Sequence, residues 1–347
     1  HLTGDRWTVH FVQRSGNGAP RGQQPLELEY VAKAVIPFSD GLDSCSVAEI
    51  EGRNLGNALV RIRLGAARDL RRKDRRQKPF ANVPYTVKGE HKEPSMRSRG
   101  FKFGVVSGLA AYLANSSRVI MPESGQGVIG PAIVPLGQAY PDFRSHPTFL
   151  RKLEKFLEAL LGQKITFELP RLWNTKGETL KAHVDGCKEK NNWEETHSCW
   201  QQNRHTSVAG KRRHCGVCAA CLLRRMSVHA AGLHERADQY VWENLSAPTF
   251  EEGAAHQFDR TKITGKMRQY AIAGTLHLDH LAAFIRSDTN QAELNLHIFQ
   301  LARACGLPET LVRDNLQRLL SQHDKEWRSF LDTLGESSFL RNWVDAA

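Results

Sequence analysis

AVIPFSDGLDSC, residues 34–45, is the stretch on which the reading of this chain turns. A short apolar run, Ala34–Phe38, ends in a loop of serines, glycine and acid and passes into a helix-compatible segment from Val47 onward. The order is strand, phosphate-sized turn, helix. Backbone N–H groups of such a turn and of the following helix N-terminus converge on one point, so an anion placed there gains hydrogen bonds and the helix dipole together. Ser39 and Ser44 add hydroxyl donors. No Gly-Lys-Ser/Thr follows, which excludes a Walker A loop, and the G-x-G-x-x-G spacing is missing.

Outward from this loop the segments alternate. Strands are expected at Ala34–Phe38, Ala58–Leu64, Pro84–Lys88, Arg118–Met121 and Ile165–Leu169, and helices near Val47–Leu55, Ala66–Arg76, Gly100–Asn115 and Pro147–Leu161. Such alternation predicts parallel strands with crossover helices on both faces, and in these sheets ligands bind beyond the carboxyl ends of the strands. Glu123–Gly137, rich in Gly and Pro, is expected to be irregular and to serve as a substrate loop. Thr175 and Glu178 form the S/T-x-x-E pattern of a capping box, which predicts a helix start. After Ser246, helical apolar spacing recurs through Leu294, Ile298, Leu301 and Cys305, is stopped by Gly306 and Pro308, and resumes at Val312. The expected organisation is an N-terminal appendage over 1–30, with a short strand at Trp7–Val12, an α/β nucleotide domain over 31–246, and a separate C-terminal helical module over 247–347.

The 347 residues are 40% hydrophobic, enough for a full α/β domain and a further unit. No apolar run approaches the roughly 20 residues that cross a bilayer, and a cytoplasmic protein is expected. The first residue is His1, as expected of a trimmed or processed product. The net charge of +11 is concentrated: Arg61–Lys78 holds nine basic residues, with further clusters at 97–102, 211–213 and at Arg224 and Arg225. A polyanionic ligand is suggested; ATP and pyrophosphate chemistry with ordinary solvated helix faces account for most of such a distribution, and nucleic acid or an acidic protein partner is the alternative.

Four of the seven cysteines, Cys199, Cys215, Cys218 and Cys221, are spaced C-x15-C-x2-C-x2-C. Four thiolates close a tetrahedral Zn²⁺ site with no open position, which makes the metal structural. An iron–sulfur cluster uses the same ligand set, and His205 or His214 is able to replace a thiolate. Cys45, Cys187 and Cys305 read as ordinary thiols.

The loop Ser39-Asp40-Gly41-Leu42-Asp43-Ser44 resembles the signature of PP-loop (N-type) ATP pyrophosphatases, and with the downstream CGVCAACLLRR at 215–225 the chain resembles the 7-cyano-7-deazaguanine synthases, QueC. YPDFR at 140–144, FELPRLWNTKGET at 167–179 and Arg99-Gly100 resemble further segments of that family. The resemblance spans about 34–232. It implies a PP-loop/HUP-like α/β fold of the adenine nucleotide alpha-hydrolase type, ATP and Mg²⁺ as cofactors, and adenylation of the carboxylate of 7-carboxy-7-deazaguanine with release of pyrophosphate. Ser39, Asp43, Ser44 and Arg99 are then the candidate catalytic residues, and 39–44 as a whole the nucleotide loop. Asp142 is the candidate for the guanine-like edge, with Tyr140 beside it; Glu123, Trp173 and Lys176 complete the substrate candidates. Trp173 reads rather as core than as a stacking platform, and Lys176 as either reaching phosphate or decorating the helix N-terminal turn.

Asp40 stands where the family carries a glycine, Leu64-Gly65-Ala66-Ala67-Arg68 replaces the stretch after the second strand, and helices follow residue 246. These departures resemble the larger QueC-like proteins of bacterial anti-phage systems, among them the Qat system and type IV CBASS. They lead to the expectation of a ligase that passes the activated carboxylate to an amine of a partner protein. The alternatives are a housekeeping synthase for tRNA modification and a zinc-containing nucleic-acid-binding module with a degenerate ATP site.

Overall fold

The computed structural model describes residues 31–65, 80–84, 99–137, 139–187, 193–201 and 206–347. The expected appendage with its strand, the helix at 66–76, most of the strand at 84–88, and His205 lie outside these residues. Two compact units form. The first takes in the chain up to Phe38, Glu51–Met121 and Phe149–Glu168; the second comprises Ser39–Ile50, Pro122–Thr148 and Leu169–Ala347.

The first unit carries a five-stranded sheet made of β1 (Ala34–Pro37), β2 (Leu59–Gly65), β3 (Phe80–Pro84), β4 (Arg118–Ile120) and β5 (Thr166–Glu168), in the order β3-β2-β1-β4-β5. Every pairing is parallel, with registers such as Val35↔Val60, Val35↔Val119 and Ile120↔Glu168. Ala34, Val35 and Ile36 are fully buried, as a strand flanked on both sides in a parallel sheet requires. β3 pairs with β2 from Phe80 to Pro84, ahead of the expected start at Pro84. Helices α2 (Arg99–Leu113) and α5 (Pro147–Leu161) pack closely because α2 carries glycines at the contact: a Cβ at Gly104 would lie 2.3 Å from Leu153 Cδ2, and one at Gly108 2.4 Å from Leu157 Cδ1.

The second unit is helical. Helix α1 (Leu42–Leu55) begins in it, and α3 (Gly125–Val128) and α4 (Gly130–Ile133) follow. The segment expected to be irregular thus contains two short helices; Pro131, within the first turn of α4, has a φ preset for that position. Then come α6 (Lys176–Asp185), a hairpin of β6 (Ser207–Val208) and β7 (Lys211–Arg212), α7 (Ala219–Ala230), α8 (Gly265–Ala283), α9 (Gln291–Cys305), α10 (Glu309–Asp332) and α11 (Phe339–Asp345). Gly306 closes α9 in the left-handed conformation at φ 67°, the role its position in the sequence suggests.

Among the described residues, two apolar cores join distant segments of this unit. One joins Cys215, Leu222, Met226, Tyr240 and Trp242 to Met267, Leu278, Trp327 and Phe339. The other joins Val128, Ile133 and Leu172 to Leu281, Ile298, Leu316 and Leu319. The helices after residue 246 therefore share both cores with the segments before it. No described helix is long and apolar enough to cross a membrane.

Candidate active site

The two segments that leave β1 and β4 at their carboxyl ends, Ser39–Ile50 and Pro122–Thr148, both belong to the second unit and meet there. In the loop, Gly41 N–H donates to Ser39 Oγ at 3.1 Å and Ser39 N–H to Ser44 Oγ at 3.2 Å. The two hydroxyl oxygens are 2.9 Å apart, and the Ser44 hydroxyl lies 2.7 Å from Ser39 O. The hydroxyls thus brace the turn from within, and Ser44 is buried. Leu42 sends its side chain into a small core with Leu180, Trp193 and Val228, which fixes the first turn of α1 and leaves only its backbone to an anion. Asp40 has no left-handed φ, so a side chain stands there without strain. Its carbonyl accepts the His197 N–H at 2.5 Å.

Asp43, in the first turn of α1, is the meeting point. Lys176 Nζ donates to its Oδ2, and Ser124 Oγ lies 3.3 Å from its Oδ1. Lys176 is buried, and so is more than a decoration of its helix end. It is the first residue of α6, and its placement follows from the cap. Thr175 Oγ1 accepts the Glu178 N–H at 3.0 Å while Glu178 Oε2 accepts the Thr175 N–H at 2.8 Å, closing the capping box read from the sequence. The Lys176 N–H donates to Gln126 Oε1 at 2.8 Å, and Gln126 Nε2 lies 2.7 Å from His323 Nδ1. His323 Nε2 faces the Leu278 carbonyl at 2.8 Å. A carbonyl only accepts, so Nε2 carries the proton and Nδ1 accepts from Gln126. Burial holds the His323 pKa down to about 4, which keeps this neutral tautomer.

The other substrate candidates are placed differently. Both Asp142 oxygens are engaged by its neighbour: Arg144 Nε donates to Oδ2 at 2.5 Å and Arg144 N–H to Oδ1 at 3.0 Å. Tyr140 is exposed. Trp173 is half-buried against the second apolar core, in keeping with its core reading. Glu123 is half-buried, with Gly127 beside its carboxylate: a Cβ at Gly127 would lie 3.2 Å from Glu123 Oε2. The Arg99 side chain lies outside the described residues.

The four sulfurs of Cys199, Cys215, Cys218 and Cys221 lie within 4.8 Å of one another, three of the residues buried. Cys215 Sγ and Cys221 Sγ are 3.7 Å apart. A tetrahedron with Zn–S bonds of about 2.3 Å has edges of about 3.8 Å, so the donor set has the spacing of one ion rather than of a cluster of several iron atoms. Cys215 N–H and Gln201 N–H point at Cys199 Sγ, and Cys218 N–H at Cys215 Sγ. Burial pushes the Cys215 and Cys221 thiols up, whereas hydrogen bonds from the other three sulfurs pull Cys199 down. Four thiolates together therefore require a cation.

Arg224 couples this centre to the loop at 39–44. Its buried guanidinium pairs with Glu235 at 2.6 Å and donates to Thr196 Oγ1 at 2.6 Å and Trp193 O at 3.2 Å. That anchors 193–198, the segment whose His197 N–H meets Asp40. The His197 ring, held neutral by burial and by Arg212, lies 2.9 Å from Arg212 Nη2. Ser124, Gln126, His197 and His323 carried no local sequence signal; Arg224 stood in the cysteine motif but read only as basic charge.

Residues 133–232 match the family model of the queuosine biosynthesis protein QueC. That span contains Tyr140–Arg144, Phe167–Thr179 and the four cysteines, and the loop at 39–44 precedes it. The match supports a QueC-like PP-loop relationship and ATP-dependent chemistry of that class. No curated protein matches the chain.

Proposed function

We propose that the chain is an adenylate-forming ATP pyrophosphatase acting on a 7-deazaguanine carboxylate such as 7-carboxy-7-deazaguanine. The observation that carries this reading is the junction of a serine-braced turn at a helix N-terminus with the buried pair Asp43–Lys176, whose lysine comes from the matched span. The turn and first-turn amides of α1 suit the nucleotide phosphates. Lys176 supplies a cation that the loop sequence itself lacks, and Mg²⁺ carried in with the nucleotide spreads the remaining charge.

The substrate carboxylate attacks the α-phosphorus, the bond to the bridging α–β oxygen breaks, and pyrophosphate leaves. An amine then attacks the acyl carbon, AMP leaves with the C–O electron pair, and the amine loses a proton to give an amide. Asp142 is the proposed acceptor for the guanine-like edge, and Arg144 must yield to let it serve. The helices after residue 246 and the altered loop support an acceptor amine on a partner protein, in the setting of an anti-phage system. The cysteine centre has a structural role with Zn²⁺.

Incubation with Mg·ATP, 7-carboxy-7-deazaguanine and ammonia or candidate protein acceptors, read by mass spectrometry, tests this. AMP with an amide or protein adduct is expected; nitrile made from ammonia alone would place the chain with synthases of free 7-cyano-7-deazaguanine, and failure to form AMP with this carboxylate would overturn the reading.

A further inference from the structure

Helix α10 reaches the first turn of α6 with one face. Glu326 Oε1 accepts the Thr175 hydroxyl at 2.5 Å and Gln322 Nε2 at 3.1 Å. Thr175 Oγ1 has a single proton; given to Glu326, it leaves the oxygen lone pairs for the Glu178 N–H, so Glu326 orients the cap. Arg318 binds the Trp173 carbonyl at 2.7 Å and pairs with the Glu178 carboxylate that completes the capping box. His323 fixes the amide of Gln126, which in turn takes the Lys176 N–H. Residues 318, 322 and 326 stand four apart, and 323 lies beside them, so a single helix face makes all these contacts.

Space has been left for the carboxylate. A Cβ at Gly177 would lie 3.2 Å from both Glu326 oxygens, and Glu326 Oε2 is buried without a hydrogen-bond partner among the described residues. An acid with an orphaned oxygen is a costly way to support a helix end unless its contact is needed.

We propose that α10 is a positioning element of the nucleotide site, in which Glu326 and His323, acting through Thr175 and Gln126, set Lys176 against Asp43. This rests on the ATP reading above for its functional consequence. Burial raises the Glu326 pKa to about 7, so its protonation changes near neutral pH. The groups around it are few: α6 brings Glu178, whose charge adds to the upward shift although it is paired with Arg318, and Lys176, paired with Asp43; α3 brings the uncharged Gln126. α10 itself brings neutral His323, α7 brings His229, bonded instead to Ser329, and α8 brings Asp279, which accepts from Trp327. A pH feature near 7 is therefore assigned to Glu326.

The test uses the full chain and the variants Glu326→Ala, Glu326→Gln and His323→Phe, each checked for an unfolding transition like the parent's. Amide hydrogen exchange over 175–178 and calorimetric binding of Mg·ATP are measured from pH 6 to 8. Glu326→Ala and His323→Phe are expected to speed exchange at 175–178 and weaken Mg·ATP binding, each by about 10-fold, as for a lost buried hydrogen bond. Glu326→Gln keeps an acceptor for Thr175; it is expected to restore both and to abolish the pH feature. Parent-like exchange and affinity in folded Glu326→Ala and His323→Phe overturn the proposal, as does a pH feature that persists in Glu326→Gln. If the parent chain does not bind Mg·ATP, the ATP reading fails, while the exchange at 175–178 still decides whether α10 positions Lys176.

Discussion

Replacing Lys176 by Met and Asp43 by Asn, singly and together, isolates the ion pair at the centre of the site. The Lys176 side chain is 8% exposed and that of Asp43 18%. Removing one partner of a fully buried pair costs about 3–5 kcal/mol, because the remaining charge stays desolvated. Asp43 keeps some solvent and the Ser124 contact, which brings the expected cost of Lys176→Met to about 2–3 kcal/mol. The double variant strands neither charge in the interior, so it should be less destabilised than the sum of the singles by about 2 kcal/mol. Urea unfolding is the assay, since guanidinium salt would screen the pair. Single effects that add to within about 0.5 kcal/mol would refute the coupling. On the ATP reading, Lys176→Met leaves the Asp43 carboxylate unpaired at the proposed phosphate site and is expected to weaken Mg·ATP binding, read by calorimetry.

Gly125→Ala would place a Cβ 2.2 Å from the Leu172 carbonyl and 2.6 Å from Leu319 Cδ2, next to Ser124 and Gln126; a loss of about 1–3 kcal/mol in urea unfolding is expected, with weakened Mg·ATP binding. Elemental analysis should find about one zinc per chain, and Cys218→Ser or Cys221→Ser should lose it and loosen 193–201, read as faster amide exchange there. For pH, burial holds His146 and His323 at about 4 in the folded chain, below the ordinary histidine value. The unfolded chain then binds more protons, so stability falls as pH drops from about 6.5 toward 4, by up to about 3 kcal/mol for each group. Glu326 has the opposite sign: its raised pKa of about 7 means stability is lost as pH rises from about 4.5 to 7. Glu326→Gln should therefore gain on the parent above pH 7, by about 3 kcal/mol at most, in urea unfolding across pH.

What was legible in the sequence followed from local rules. β1 showed as an apolar run, the cysteine spacing as a tetrahedral donor set, and Thr175 with Glu178 as a capping box, because each can be read within one stretch of the chain. The partners of Asp43 did not show, since Ser124 and Lys176 are 81 and 133 residues away and meet it only through the fold. The α10 contacts were hidden for the same reason: Thr175 and Glu326 are 151 residues apart. Helical periodicity in 309–332 reports a buried face but not what lies against it, so helices that share their cores with the cysteine segment read as a separate module. Glycine and proline in 123–137 signalled irregularity, whereas Gly125 and Gly130 serve close packing of short helices: a Cβ at Gly130 would lie 2.9 Å from Leu281 Cδ2.

The central claim is that the braced loop and the Asp43–Lys176 pair serve cleavage of ATP between its α and β phosphates. Nucleotide products separated after incubation of the chain with Mg·ATP, 7-carboxy-7-deazaguanine and an amine acceptor such as ammonia test it most directly. AMP and pyrophosphate in equal amounts, lost in Asp43→Asn, are the predicted result; ADP and phosphate, or AMP formation that survives Asp43→Asn undiminished, would contradict it.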